Sequence, residues 1–123
     1  MKEFFLVFFG GGLGSVARFL VSKLFGLWNP VFPFATLTAN FLSCVVFGAI
    51  LIFSVDRFNL SAAIKLLMIT GFCGGFSTYS SFTFETVELF KNGSTFLALS
   101  NIFLNFFLSV TGLYVGIAIA KFL

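Results

Sequence analysis

The groups in this chain that could do chemistry are amides and hydroxyls set among apolar residues. Thr36, Asn40 and Ser43 follow one another at intervals of four and three, and Asn101, Asn105 and Ser109 at intervals of four. If both segments are helical, each set falls on one face. Amide N–H and hydroxyl groups donate hydrogen bonds, so such stripes can replace part of the water around a small anion. They can equally bond helix to helix as packing contacts, a common use in membranes. A second kind of chemistry is offered by Gly71-Phe72-Cys73-Gly74-Gly75-Phe76-Ser77-Thr78-Tyr79-Ser80-Ser81-Phe82, where three glycines and a hydroxyl cluster interrupt an apolar run. Unwound backbone in a membrane helix frees carbonyls that can coordinate sodium, and Gly74 and Gly75 permit the necessary dihedrals and close approach. The plainer alternative is a kink for packing. Two amide stripes beside an interrupted helix favour a lined pathway over simple packing.

Other chemistries lack their parts. The chain has no histidine, so no serine or cysteine has the base of the usual triad. No cluster of carboxylates or thiolates has metal-ligand spacing, which removes zinc and transition-metal sites. Cys44 and Cys73 read as small packing residues rather than as a disulfide framework. An enzyme is therefore not expected. Only Arg18 among the basic residues lies deep in an apolar segment, so neither a carboxylate ring nor a cationic trap is available. The 22 phenylalanines could offer the positive edges of their rings to an anion, although most must face lipid or pack.

The elements that must position these residues are set by the solvent. Hydrophobic residues make up 59% of the 123 residues and charged residues 9%, with a mean hydropathy of +1.13, against roughly 25% charged in ordinary soluble domains. A spanning helix needs about 20 apolar residues, so the expected fold is an all-α membrane domain, 1–123, with four transmembrane helices. The spans are residues 4 to 25, about Pro33 to Val55 with a stop at Asp56-Arg57, about Ser61 to Phe90, and about Thr95 to Lys121. The third contains the glycine-rich interruption and is expected to be broken at its centre. Lys2 followed by apolar residues has the look of a signal peptide, but the run is too long and includes Arg18. Four helices barely enclose a pore, which points to a homo-oligomer.

With four spans both termini share one side. Lys2, Arg57, Lys65 and Lys121 then lie near one face, and Lys23 and Lys91, with Arg18 if it snorkels that way, near the other. Orientation follows the excess of Lys and Arg in short cytoplasmic loops, so this near balance permits insertion in both directions; a single topology set by a subtle difference is the alternative. The net charge of +3 is spread over loops and gives no nucleic-acid surface.

Three blocks, Gly10-Gly11-Gly12-Leu13-Gly14-Ser15-Val16-Ala17-Arg18, Thr36-Leu37-Thr38-Ala39-Asn40, and Gly71 to Phe82 continued by Thr83-Phe84-Glu85, together resemble the small fluoride channels of the Fluc, or CrcB, family, in order and spacing over nearly the whole chain. The resemblance implies an antiparallel, dual-topology homodimer with two pores along the interface and a structural sodium ion at its centre. It implies passive fluoride efflux that protects the cytoplasm, in a multi-pass protein of a prokaryotic inner membrane. By position, Gly74 and Ser77 match the residues whose backbone carbonyls hold the sodium, with Ser77 where threonine is usual. Tyr79 and Phe82 match the two aromatic positions whose ring edges face fluoride, the first being tyrosine here, with a hydroxyl that needs a partner of its own. Asn40 matches the pore-facing asparagine, and Asn105 with Ser109 the polar track of the last helix. Glu85 matches a carboxylate near the pore's end, or else forms an interfacial i, i+3 pair with Glu88. Arg18 matches an arginine that draws anions into a vestibule, or else snorkels.

Two other classes have this size. A small multidrug-resistance-type antiporter is also a four-helix, dual-topology dimer, but its proton coupling needs an ionisable residue buried in the first helix, and this chain offers only Glu3 at the very end. A non-conducting assembly subunit would use the stripes to bind a partner helix.

Overall fold

The computed structural model describes residues 1–123, except for the side chains of Asp56 and Arg57. The expected stop at Asp56-Arg57, and the charge of Arg57 in the orientation count, concern side chains outside the described residues. All regular structure among the described residues is helical: α1 (Lys2–Gly26), α2 (Phe34–Ile52), α3 (Ala62–Lys65), α4 (Gly74–Phe76), α5 (Tyr79–Lys91) and α6 (Thr95–Phe122). Two π-helical segments continue the helices before them, Phe53–Arg57 after α2 and Leu66–Cys73 between α3 and α4. Four stretches are long and apolar enough to cross a membrane, Lys2–Gly26, Phe34–Val55, Ala62–Lys91 and Thr95–Phe122. This is a multi-pass membrane protein.

Local sequence sets the ends. Ser61 caps α3 by accepting the Ile64 N–H on its hydroxyl at 3.3 Å, which satisfies one of the donors a helix start leaves over. After α5, Gly93 at φ 75° lets the Gly93 and Ser94 N–H groups turn back to the Phe90 and Leu89 carbonyls at 3.0 and 2.9 Å. That pair of bonds is a Schellman closure, for which glycine carries no steric penalty. Inside the third span, α4 ends at Phe76, and Ser77 (ψ 157°) and Thr78 (φ −150°, ψ 115°) are extended before α5 begins.

Two helix pairs hold the fold together, each through residues without side chains at the contact. On α1, a methyl group on Gly10 would strike the Leu67 carbonyl and one on Gly14 the Phe72 carbonyl. From the other side, one on Gly71 would lie 2.9 Å from the Gly10 Cα, and one on Gly75 would strike the Gly11 carbonyl. On α6, Gly116 meets the Val45 carbonyl and Gly112 the Phe41 carbonyl, while Gly48 of α2 meets the Leu113 carbonyl. Lipid gives no hydrophobic gain for helix association, so backbones that approach this closely are the source of the packing. Ala39, Ala98 and Ala120 are fully buried on the same principle. The bulky residues of α1, such as Phe4, Phe8 and Leu13, point outward, as a lipid-facing surface allows.

The glycines at 74 and 75 do not do what the sequence leads one to expect. Gly74 is helical, with φ −63° and ψ −36°, and Gly75 serves the close approach to α1. The extended residues are Ser77 and Thr78, neither of them glycine, whose dihedrals suit any L-residue.

Candidate functional site

The polar face of α2 is spent residue by residue on the third span. Thr36 donates to Glu85 Oε1 at 2.7 Å. Asn40 accepts the Thr78 N–H on Oδ1 at 2.8 Å, and its Nδ2 donates to Asn105 Oδ1 at 3.0 Å and to the Thr78 carbonyl at 3.4 Å. Ser43 donates to the Cys73 carbonyl at 3.0 Å. The asparagine thus faces the extended backbone of Thr78 as a neighbouring peptide unit would, meeting its N–H and its C=O together. Buried backbone groups are paired almost without exception, and here the pairing comes from a side chain.

The network continues into α6. Asn105 Nδ2 donates to Asn101 Oδ1 at 2.8 Å and to the Asn101 carbonyl at 3.1 Å, and Asn101, fully buried, donates to Thr86 Oγ1 at 2.9 Å. Thr86 passes its own proton to the Phe82 carbonyl at 2.7 Å. From Thr78 to Phe82 every amide in this run has partners. The Asn101 and Asn105 part of the α6 stripe is therefore interhelical bonding, and Ser109, about one turn beyond Asn105, lies outside it.

Three cavities gather the residues singled out by sequence. The largest, about 560 Å³, is lined by Asn40, Tyr79, Phe82, Asn105 and Ser109, with Cys44, Ile102 and Phe106 among the rest. The Tyr79 and Phe82 rings meet at 5.5 Å between centroids with their planes at 53°. A second, about 400 Å³, brings Arg18 and Glu85 together with Ser15, Thr36, Ser80 and Ser81. The two ionisable groups share this space without pairing: Arg18 donates to the Ser77 carbonyl at 3.3 Å, and Glu85 Oε2 is enclosed with no hydrogen-bond partner. Glu88 instead pairs with Lys91 at 3.1 Å. A third cavity, about 310 Å³, is lined by Gly74 and Ser77 with Ser43, Cys44, Thr70 and Cys73.

Around Gly74 and Ser77 the donor set is made of neutral oxygens. The Thr78 N–H, which in a continuing helix would bond the Gly74 carbonyl, goes to Asn40, and the last carbonyls of a helix lack intrahelical donors in any case. Uncharged carbonyl oxygens at a helix C-terminus suit a hard monovalent cation. Among the described residues no three His, Cys, Asp or Glu side chains cluster.

Several participants were not assigned from sequence. Ser80 and Ser81 stand beside Arg18, Thr78 caps α5 through the Ser81 N–H at 3.2 Å, and Thr86 anchors Asn101. The serines and Thr78 lay within the hydroxyl-rich stretch. Thr86 had no signal beyond being a hydroxyl in an apolar helix.

Residues 5–117 match the family described as CrcB-like protein, Camphor Resistance (CrcB). The chain belongs to the CrcB family. Relatives of this CrcB-family chain span nearly its full length. One from Rhizobium etli (strain CIAT 652), named fluoride-specific ion channel FluC, is 37% identical over 98% of both chains. Proteins of the same name from Azobacteroides pseudotrichonymphae and Pyrococcus abyssi are 36% and 32% identical, over 99% and 98% of this chain and 98% of each relative.

Proposed function

We propose that this chain is a fluoride channel and not an enzyme, and that it allows passive fluoride efflux that lowers fluoride in the cytoplasm of a prokaryotic cell. The observation that carries the reading is similarity over nearly the whole chain to CrcB-family relatives that bear a fluoride-channel name. The cavity lined by Asn40, Tyr79, Phe82, Asn105 and Ser109 supports it, because its wall includes strongly exposed aromatic groups that a second copy would cover. In this proposal two copies pair antiparallel in the inner membrane, and the near-balanced loop charges allow both orientations. The third span works as a broken helix, with the extended pair Ser77-Thr78 between its halves.

Fluoride enters where Arg18, Ser80 and Ser81 offer positive charge and donors, and Glu85 marks that end of the route. It sheds water and passes along the wall of Asn40, Asn105 and Ser109, beside the rings of Tyr79 and Phe82, whose edges carry positive potential. No energy source is coupled to the movement. The carbonyls of Gly74 and Ser77 would hold sodium, which when bound supplies a fixed positive charge that ties the two copies together. Arg18, by bonding the Ser77 carbonyl, fixes the direction of one of these oxygens.

The test is fluoride efflux from liposomes that contain the purified protein, read with a fluoride electrode beside a chloride control. Rapid fluoride release without chloride is the expected result. Release of neither ion from folded, dimeric protein would refute the channel and favour the assembly-subunit reading.

A further inference from the structure

A count of donors in the cavity beside Tyr79 separates the groups already committed from those still free. Asn40 Nδ2 places its two hydrogens on Asn105 Oδ1 and the Thr78 carbonyl, and Asn105 Nδ2 places its own on Asn101. An amide nitrogen has two hydrogens and no more, so neither asparagine keeps one for an ion. Two hydroxyls on the same walls, those of Tyr79 and Ser109, have no hydrogen-bond partner among the described residues.

The place of Tyr79 makes its free hydroxyl unusual. It is the first residue of α5, close to the middle of the span Ala62–Lys91, and it is 80% exposed on the single chain. Tyrosines in membrane proteins ordinarily sit at the interface, where water meets the hydroxyl. At mid-span, a hydroxyl turned to hydrocarbon would have to give up its hydrogen bonds altogether. A partner in the adjoining cavity would restore them. A phenol O–H is also a more acidic donor than an aliphatic alcohol, which suits a small, hard anion stripped of water.

We propose that the Tyr79 hydroxyl, with that of Ser109, donates the hydrogen bonds that bind fluoride in this cavity, while the neighbouring amides stay bonded to the protein. The proposal rests on the fluoride-channel reading and goes further, since a phenylalanine at position 79 could offer only a C–H edge. It makes Tyr79 an affinity-determining residue.

The experiment measures fluoride efflux from proteoliposomes over a range of fluoride concentrations for the wild type, Tyr79→Phe, Ser109→Ala and, as a control, Tyr114→Phe, a residue outside the cavity. Hydrogen bonds to a charged group are strong enough that losing one raises the half-saturating fluoride concentration by about tenfold or more. The expected result is that shift in Tyr79→Phe and a smaller one in Ser109→Ala, with Tyr114→Phe unchanged. A second readout is the tyrosine ultraviolet difference spectrum on adding sodium fluoride to the detergent-solubilised dimer, with sodium chloride as the reference. The signal should persist in Tyr114→Phe and vanish in Tyr79→Phe. An unchanged half-saturation in Tyr79→Phe, or a difference signal that survives that substitution, would overturn the proposal. If the wild type carries no fluoride, it is the channel reading that fails, and the spectrum alone then decides whether the hydroxyl meets the ion.

Discussion

Asn40→Asp changes one group and separates two of its effects. The carboxylate keeps an oxygen where Oδ1 accepts the Thr78 N–H at 2.8 Å, so the extended step retains its main bond. It loses the Nδ2 donors and sets an anionic oxygen against Asn105 Oδ1, now 3.0 Å from Nδ2, and against the Thr78 carbonyl at 3.4 Å. Leaving such buried groups unpaired costs about 1–3 kcal/mol each, a loss that intact helix packing tolerates. For an anion in the cavity the effect is larger. At an effective dielectric constant of about 20, a like charge about 4 Å away costs about 4 kcal/mol, roughly a thousandfold in occupancy. Fluoride efflux should fall by about that factor, while size-exclusion chromatography still shows the oligomeric state of the wild type. Efflux within about tenfold of the wild type, from protein with unchanged oligomeric state, would refute the placing of residue 40 on the ion's route.

Two further outcomes concern stability. Gly116→Ala drives a methyl group into the Val45 carbonyl, whereas the same change at Gly12 meets nothing within 4 Å. Thermal unfolding in detergent should show the first destabilised by about 1–3 kcal/mol and the second nearly unchanged, and equal effects would argue against the α2 and α6 contact. Thr86→Val removes the acceptor of the Asn101 amide and the donor to Phe82, so denaturation should reveal a loss of about 1–3 kcal/mol. No loss would mean that water or another group takes over the buried amide.

The spans were legible because lipid imposes a simple rule of length and apolarity. The reading from 4 to 25 became Lys2–Gly26, and that from Ser61 to Phe90 became Ala62–Lys91. Side-chain spacing also carried through: Thr36, Asn40 and Ser43, read as one face, all bond to the third span. The position of the extended residues was not legible. Gly74 and Gly75 drew attention because glycine is permissive, yet Ser77 and Thr78 carry the extended dihedrals. The cause lies 38 residues away at Asn40 and 65 residues from Asn40 at Asn105, and no local pattern can encode such partners. The close approach of the α1 glycines Gly10 and Gly14 to Leu67 and Phe72 was likewise not read from the sequence, because its other side lies more than 50 residues away.

The bond between Asn40 and Thr78 has a consequence for the order in which the protein matures. As an isolated segment, residues 61–92 would find their cheapest state in hydrocarbon by closing the helix through Ser77 and Thr78, since only then does the Thr78 N–H have a partner. The extended conformation becomes affordable once α2 has docked and presents its amide. The shape of the third span is thus a property of the assembled chain, acquired after insertion, and an excised peptide in micelles should be a straight rod.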